Sequence, residues 1–203
     1  MKVFGNICAA ACLAASAMAS SAAVVVTGIA QDGNVFFEAT GAYDFTGLDL
    51  VFENFNLLLS TQPSSGLLNM GQSAGGAVGV QTDFYGGGIS GPSSFGSGGL
   101  TNQGIGLGDL FSINRVGGGT AFGIANGAST TGSILTAVGY AGASFESLGL
   151  DVGTYEWTWS TDSVKLIIGG DPTTVVPLPA GLPLLASALL GAGVLMRRRT
   201  SKA

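Results

Sequence analysis

Histidine is absent from all 203 residues, and both cysteines, Cys8 and Cys12, stand within the first dozen. Ser-His-Asp and Cys-His catalytic arrangements and imidazole zinc sites are thereby excluded. If the N-terminal segment is removed on export, disulfides, thiolate ligands and cysteine nucleophiles go with it. Basic residues are nearly as scarce. Between residues 24 and 174 only Arg115 and Lys165 oppose twelve acids, a net charge of −10 for that region. Such a surface repels nucleic acid and anionic lipid, both of which are bound through clustered Lys and Arg. The every-third-residue glycine of collagen is missing too, although 19 glycines crowd the 57 residues from Gly71 to Gly127.

What is present is divided into three regions. Residues 1–23 open with Lys2, continue through the small apolar stretch Ile7–Ala15, and end in Ala-x-Ala patterns. No polar face interrupts the run, so it has the layout of a secretory signal peptide, expected to be helical until removed. Cleavage after Ala19 and cleavage after Ala23 are both compatible with the pattern. A lipoprotein signal is disfavoured because Ala9, three places before Cys12, is not the larger aliphatic residue such a signal uses.

The other end carries 22 uncharged residues from Val175 to Met196, followed by Arg197, Arg198 and Arg199. A helix of about 20 residues spans a bilayer core. Pro183 is tolerated in its first turn, whereas Pro177 and Pro179 would break its interior. The spanning piece is therefore short, residues 182–196, and the arginines hold its end in the cytoplasm. The expected topology is body outside, tail inside, with the general secretion machinery as the first partner.

The proline segment Val176-Pro177-Leu178-Pro179-Ala180, the apolar helix and the arginine cluster follow one another in that order. This arrangement resembles the VPLPA variant of the PEP-CTERM sorting signal. The resemblance covers residues 175–199 and implies export by a Gram-negative bacterium that makes extracellular polysaccharide. It also implies recognition and cleavage near the motif by the membrane protease exosortase, then delivery to the cell surface or extracellular matrix. The physics agrees with such a role, because a proline-rich segment stays extended and can enter a protease without helix unwinding. The stretch Ala143–Gly169 is similar to the common ending of PEP-CTERM bodies, with a Gly-Thr-Tyr strand, paired tryptophans and one last strand.

Between the ends, residues 24–172 are expected to form one Gly-rich, acidic, all-β domain, an antiparallel β-sandwich or jelly roll. Residues 173–203 supply linker, motif, membrane helix and basic tail. Val24–Ala30 is β-branched, and Asp32-Gly33 marks a hairpin turn before Asn34–Gly41. Gly47–Phe55 is a further strand. Tyr155, Trp157 and Trp159 alternate with polar residues, so period-two geometry puts the three rings on one face. Val164, Leu166 and Ile168 repeat the pattern, and the two runs form a hairpin. Gly86–Gly99 reads as a loop, and the Gly-rich tract as a whole as ordered but loop-rich.

Candidate chemistry is sparse, and no cofactor or metal is implied. Lys165 lacks a Ser-x-x-Lys context. The carboxylates Glu38, Asp44, Asp49, Glu53, Glu146 and Glu156 offer no spacing that selects a glycosidase pair. Gly104–Asp109 imitates a phosphate loop but has neither the Gly-x-Gly-x-x-Gly spacing nor a βαβ setting. The aromatic row is the sharpest feature. Such a row fills the core between two sheets, or alternatively stacks on the sugar rings of an exopolysaccharide. The expected function is that of a non-enzymatic structural protein of the surface or matrix; the alternative is a glycan-binding module working through Tyr155, Trp157 and Trp159.

Overall fold

The computed structural model describes residues 23–71 and 80–169. The signal segment, the VPLPA motif, the apolar run and Arg197–Arg199 lie outside the described residues. Within them the chain is all-β, with a single 3₁₀ turn at Pro63–Ser65 and no α-helix. No helix among the described residues is long and apolar enough to cross a membrane.

Twelve strands form two six-stranded sheets. They are β1 (Ala23–Gln31), β2 (Asn34–Asp44), β3 (Asp49–Leu57), β4 (Thr61–Gln62), β5 (Leu67–Met70), β6 (Val80–Gly86), β7 (Ile105–Gly108), β8 (Phe111–Val116), β9 (Gly119–Ala125), β10 (Thr131–Tyr140), β11 (Gly153–Thr158) and β12 (Ser163–Ile168). The first sheet has the order β11-β12-β1-β2-β10-β7 and the second β3-β6-β9-β8-β5-β4.

The β1–β2 hairpin turns on Asp32 (φ 51°) and Gly33 (φ 73°). Both are left-handed, as a two-residue turn that matches strand twist requires. Asn34 secures it, donating to the Asp32 carbonyl at 3.0 Å while its Oδ1 accepts from the Gly142 amide at 3.0 Å. The β11–β12 hairpin pairs Trp157 with Val164 and Tyr155 with Leu166. Every pairing but one is antiparallel. The exception within the expected antiparallel arrangement is β12, which runs parallel to β1, with Val24 opposite Val164 and Val26 opposite Leu166. Parallel strands require a long crossover, and the whole chain between them provides it.

Alternation fixes which face each strand buries. Val24 and Val26, Val35 and Phe37, Val164 and Leu166 point inward from the first sheet and are fully buried. Leu68, Phe111, Ile113 and Phe122 do so from the second, and the two sets form one core cluster. Each such side chain contributes about 1.5–3 kcal/mol relative to an exposed one. Phe122 is the centre of the aromatic packing, lying 6.0 Å from Phe45, 6.2 Å from Phe111, 5.3 Å from Trp159 and 6.5 Å from Trp157.

The Gly86–Gly99 loop closes over the open edge of β11. Ser90 bridges Thr158 and Gly96 bridges Leu150. Phe95, buried within the core cluster, anchors the loop. At the opposite edge of the second sheet, β3 exposes its first eight residues.

Candidate binding groove

The aromatic row is part of the core. Trp157 is 1 % exposed, and its indole N–H donates to the Pro92 carbonyl at 2.9 Å. Trp159 packs on the core and donates to the Asp44 carbonyl at 3.0 Å. Tyr155 meets Phe95 edge-on at 6.1 Å and its hydroxyl donates to the Asp151 carbonyl. Trp157 is thus covered, and both indole N–H groups are committed to backbone carbonyls. Of the three residues named for the glycan-binding alternative, Trp157 is buried between the opposing sheet and the Gly86–Gly99 loop, while Tyr155 and Trp159 are half-buried.

The carboxylates are dispersed. Glu156 pairs with Lys165 across the β11–β12 hairpin at 3.6 Å, both side chains exposed. Hydrogen bonding from the Thr46 side chain, and then from the Thr46 amide, holds the Asp44 carboxyl below its usual range. No group of three or more Asp, Glu, His or Cys side chains among the described residues is placed to hold a metal ion. Gly104–Asp109 is no phosphate loop, since Ile105–Gly108 is the edge strand β7 and Asp109 Oδ2 accepts from the Leu135 amide.

A different feature stands out on the outer side of the second sheet. A groove of about 500 Å³ is lined by Phe52, Phe55 and Leu58 of the β3 region, Leu100 and Asn102 of the segment between β6 and β7, and Asn114 and Arg115 of β8. Its volume lies in the range of ligand-binding clefts. Phe52 is 48 % and Phe55 44 % exposed, yet their rings meet edge-on at 5.6 Å. In a regular strand, residues three apart face opposite sides. Here the pairing of β3 with β6 shifts register between Phe52 and Phe55, and the intervening Asn54 has φ 56°. The bulge therefore turns both rings to the same side.

Asp83 holds the bulge in place. Its Oδ1 accepts from the Asn54 amide at 3.1 Å and from Asn126 Nδ2 at 2.8 Å, and its Oδ2 accepts from the Gly127 amide at 3.0 Å. Burial alone would raise the carboxyl pKa, but these three donors outweigh it and hold the group below its ordinary 3.8. Beneath the rings, Phe84 meets Phe55 at 6.0 Å and clusters with Leu57, Leu110 and Ala121 on the side away from the main core. The floor is polar and closed on itself: Ser112 Oγ donates to Asn69 Oδ1 at 2.6 Å, and Asn69 Nδ2 donates to the Leu58 carbonyl and to Ser60 Oγ. Because Asn69 is committed, it fixes Leu58 rather than meeting a ligand.

Arg115 borders the groove. Its Nη2 donates to the Gly118 carbonyl at 2.6 Å, while Nη1 is 3.5 Å from the Ser93 carbonyl, too long to count for much. It has no ion-pair partner among the described residues, whereas Lys165 has Glu156. A second hollow of about 430 Å³ lies on the outer face of the first sheet around Val25, Thr27, Phe36 and Glu38.

Of the residues that meet in the larger groove, only Arg115 stood out in the sequence, and only as one of two basic residues between 24 and 174. The available signal was the Phe-Glu-Asn-Phe spacing of Phe52 and Phe55, which breaks strand alternation at an asparagine, a residue that tolerates positive φ. No family model matches the chain, and neither a curated protein nor a solved structure is significantly similar to it.

Proposed function

We propose that this chain is an exported surface or extracellular-matrix protein, sorted and cleaved by exosortase through Val176–Ala180. On this reading residues 1–23 contain the signal peptide and its cleavage site, residues 182–196 are the transmembrane helix, and Arg197–Arg199 the cluster that keeps the tail cytoplasmic. The body is a β-sandwich with a structural, non-enzymatic role.

One observation supports the reading most directly. The proline segment Val176–Ala180, the uncharged run to Met196 and the cluster Arg197–Arg199 follow one another in the order the sorting signal uses. The described body, Ala23–Ile168, contains no cysteine and has a buried apolar core, so packing takes the place of disulfides there.

The test is intact mass and C-terminal sequencing of the protein from the native host's medium and envelope, for the wild type and a Pro177→Ala/Pro179→Ala variant. The expected wild-type product ends near Val176–Ala180, and the variant stays uncut in the membrane fraction. A wild-type chain that keeps Arg197–Arg199 in the membrane would reduce the tail to a simple anchor and remove the sorting role.

A further inference from the structure

The groove beside β3 is built to hold apolar rings in water. Phe52, Phe55, Leu58 and Leu100 are each between 44 % and 56 % exposed and border one cleft. Their positions are set by the Asp83 clamp on Asn54 and by the Asn69 network under Leu58. Rigid exposed aromatics of this kind are characteristic of recognition surfaces.

The polar lining narrows the ligand. Asn56 and Asn102 carry side-chain amides without a hydrogen bond among the described residues, and each offers two donors and an acceptor. Arg115 adds the one guanidinium between residues 24 and 174. No carboxylate lines the cleft.

We propose that this groove binds a saccharide bearing isolated carboxylates. The apolar C–H face of a sugar ring stacks on Phe52 and Phe55, hydroxyls bond to Asn56 and Asn102, and a uronate carboxylate meets Arg115. The carboxylates must be sparse, because the remaining charge of the body is strongly negative and repels a dense polyanion. An anionic membrane is disfavoured for the same reason, since it recruits clustered bases. An extended peptide adding to the β3 edge is disfavoured by the bulge, which interrupts the backbone ladder such a strand would use. The inference concerns the body alone and stands whether or not the tail is cut.

Affinity electrophoresis of the full-length chain in mild detergent provides the test, with gels containing low-acyl gellan (one glucuronate per repeat of otherwise neutral sugars), polygalacturonate or dextran. Gellan should retard the wild type most. Phe52→Ala/Phe55→Ala should weaken that retention about tenfold, and Arg115→Gln should bring gellan down to the level of dextran. Asn102→Asp leaves the ring pair intact and should abolish gellan retention by placing a carboxylate in the cleft, which covers the case of a misfolded double variant. No retention by gellan, retention indifferent to Phe52 and Phe55, or stronger retention by polygalacturonate would each overturn the proposal. Binding of a synthetic Val175–Leu185 peptide that depends on Phe52 and Phe55, with no saccharide retained, would reassign the groove to peptide.

Discussion

The indole N–H of Trp157 donates to the carbonyl of Pro92 at 2.9 Å, joining the edge strand β11 to the glycine-rich loop that covers it. The neighbouring Gly91 makes this approach possible. A Cβ there would lie 2.8 Å from both Trp157 Cγ and the Glu156 carbonyl oxygen. Gly91→Ala should therefore destabilise by about 1–3 kcal/mol through overpacking, and Trp157→Ala by about 3–5 kcal/mol through the cavity it leaves. Urea unfolding followed by circular dichroism measures both. If Gly91→Ala shifts no midpoint, the loop is not pressed against Trp157.

Tyr140 presents the opposite situation. Its ring meets Phe37 edge-on at 6.3 Å in the core, but its buried hydroxyl has no hydrogen-bond partner among the described residues. Burial also pushes its pKa well above the ordinary phenol value. An unsatisfied buried hydroxyl carries a desolvation cost with no return. Tyr140→Phe should leave stability unchanged or increase it. Tyr43→Phe, which removes a hydroxyl that donates to the Ser129 carbonyl at 3.1 Å, should cost about 0.5–1.5 kcal/mol. Thermal melts of the two variants side by side decide the matter; a loss in Tyr140→Phe equal to that in Tyr43→Phe would contradict it.

Asp83 makes stability depend on acid. Its folded pKa lies below the ordinary 3.8, so between the two values the unfolded chain binds the proton more readily. The stabilisation is complete above 3.8 and is lost as pH falls through the folded value. Asp83→Asn should be less stable than wild type at pH 7, and the difference should shrink below 3.8. Asp162 acts in the other direction. Burial raises its pKa despite amide donors from Asp44 and Ser163, so its ionisation costs stability as pH rises through the folded value. Denaturant midpoints across pH 2–7 for wild type and Asp83→Asn show the acid limb; a constant gap at all pH values would remove Asp83 from it.

Local signals in the sequence led to local structure. Asp32-Gly33 marked the first hairpin, and the alternation of Tyr155, Trp157, Val164 and Leu166 marked the last one and its buried face. The parallel pairing of β1 with β12 was not legible, because periodicity says which face a strand buries and nothing about its neighbour. The groove was hidden for a related reason. Its residues come from β3, β8 and the loop through Leu100, and only the fold brings Phe55, Asn102 and Arg115 together. Even on β3, regular alternation would have put Phe52 and Phe55 on opposite faces. The bulge at Asn54 reverses that, and its anchor, Asp83, lies 29 positions away.

The start of β1 separates the two cleavage positions that the signal pattern leaves open. Among the described residues Ala23 is the first that is paired, opposite Ser163, and a Cβ on Gly41 would lie 3.1 Å from Val24 Cα and from the Ala23 carbonyl carbon. Val24 itself is fully buried between β2 and β12. Cleavage after Ala23 would remove that pairing and place an α-ammonium on the buried first residue, where a charge is costly. Cleavage after Ala19 leaves Ser20–Ala22 ahead of the strand and β1 whole. N-terminal sequencing of the exported protein should therefore begin at Ser20. An Ala19→Lys variant, which spoils the earlier site, should yield either unprocessed precursor or a form starting at Val24 with a lower melting temperature. Wild-type protein that starts at Val24 and melts no lower than a form starting at Ser20 would show that the end of β1 tolerates the charge.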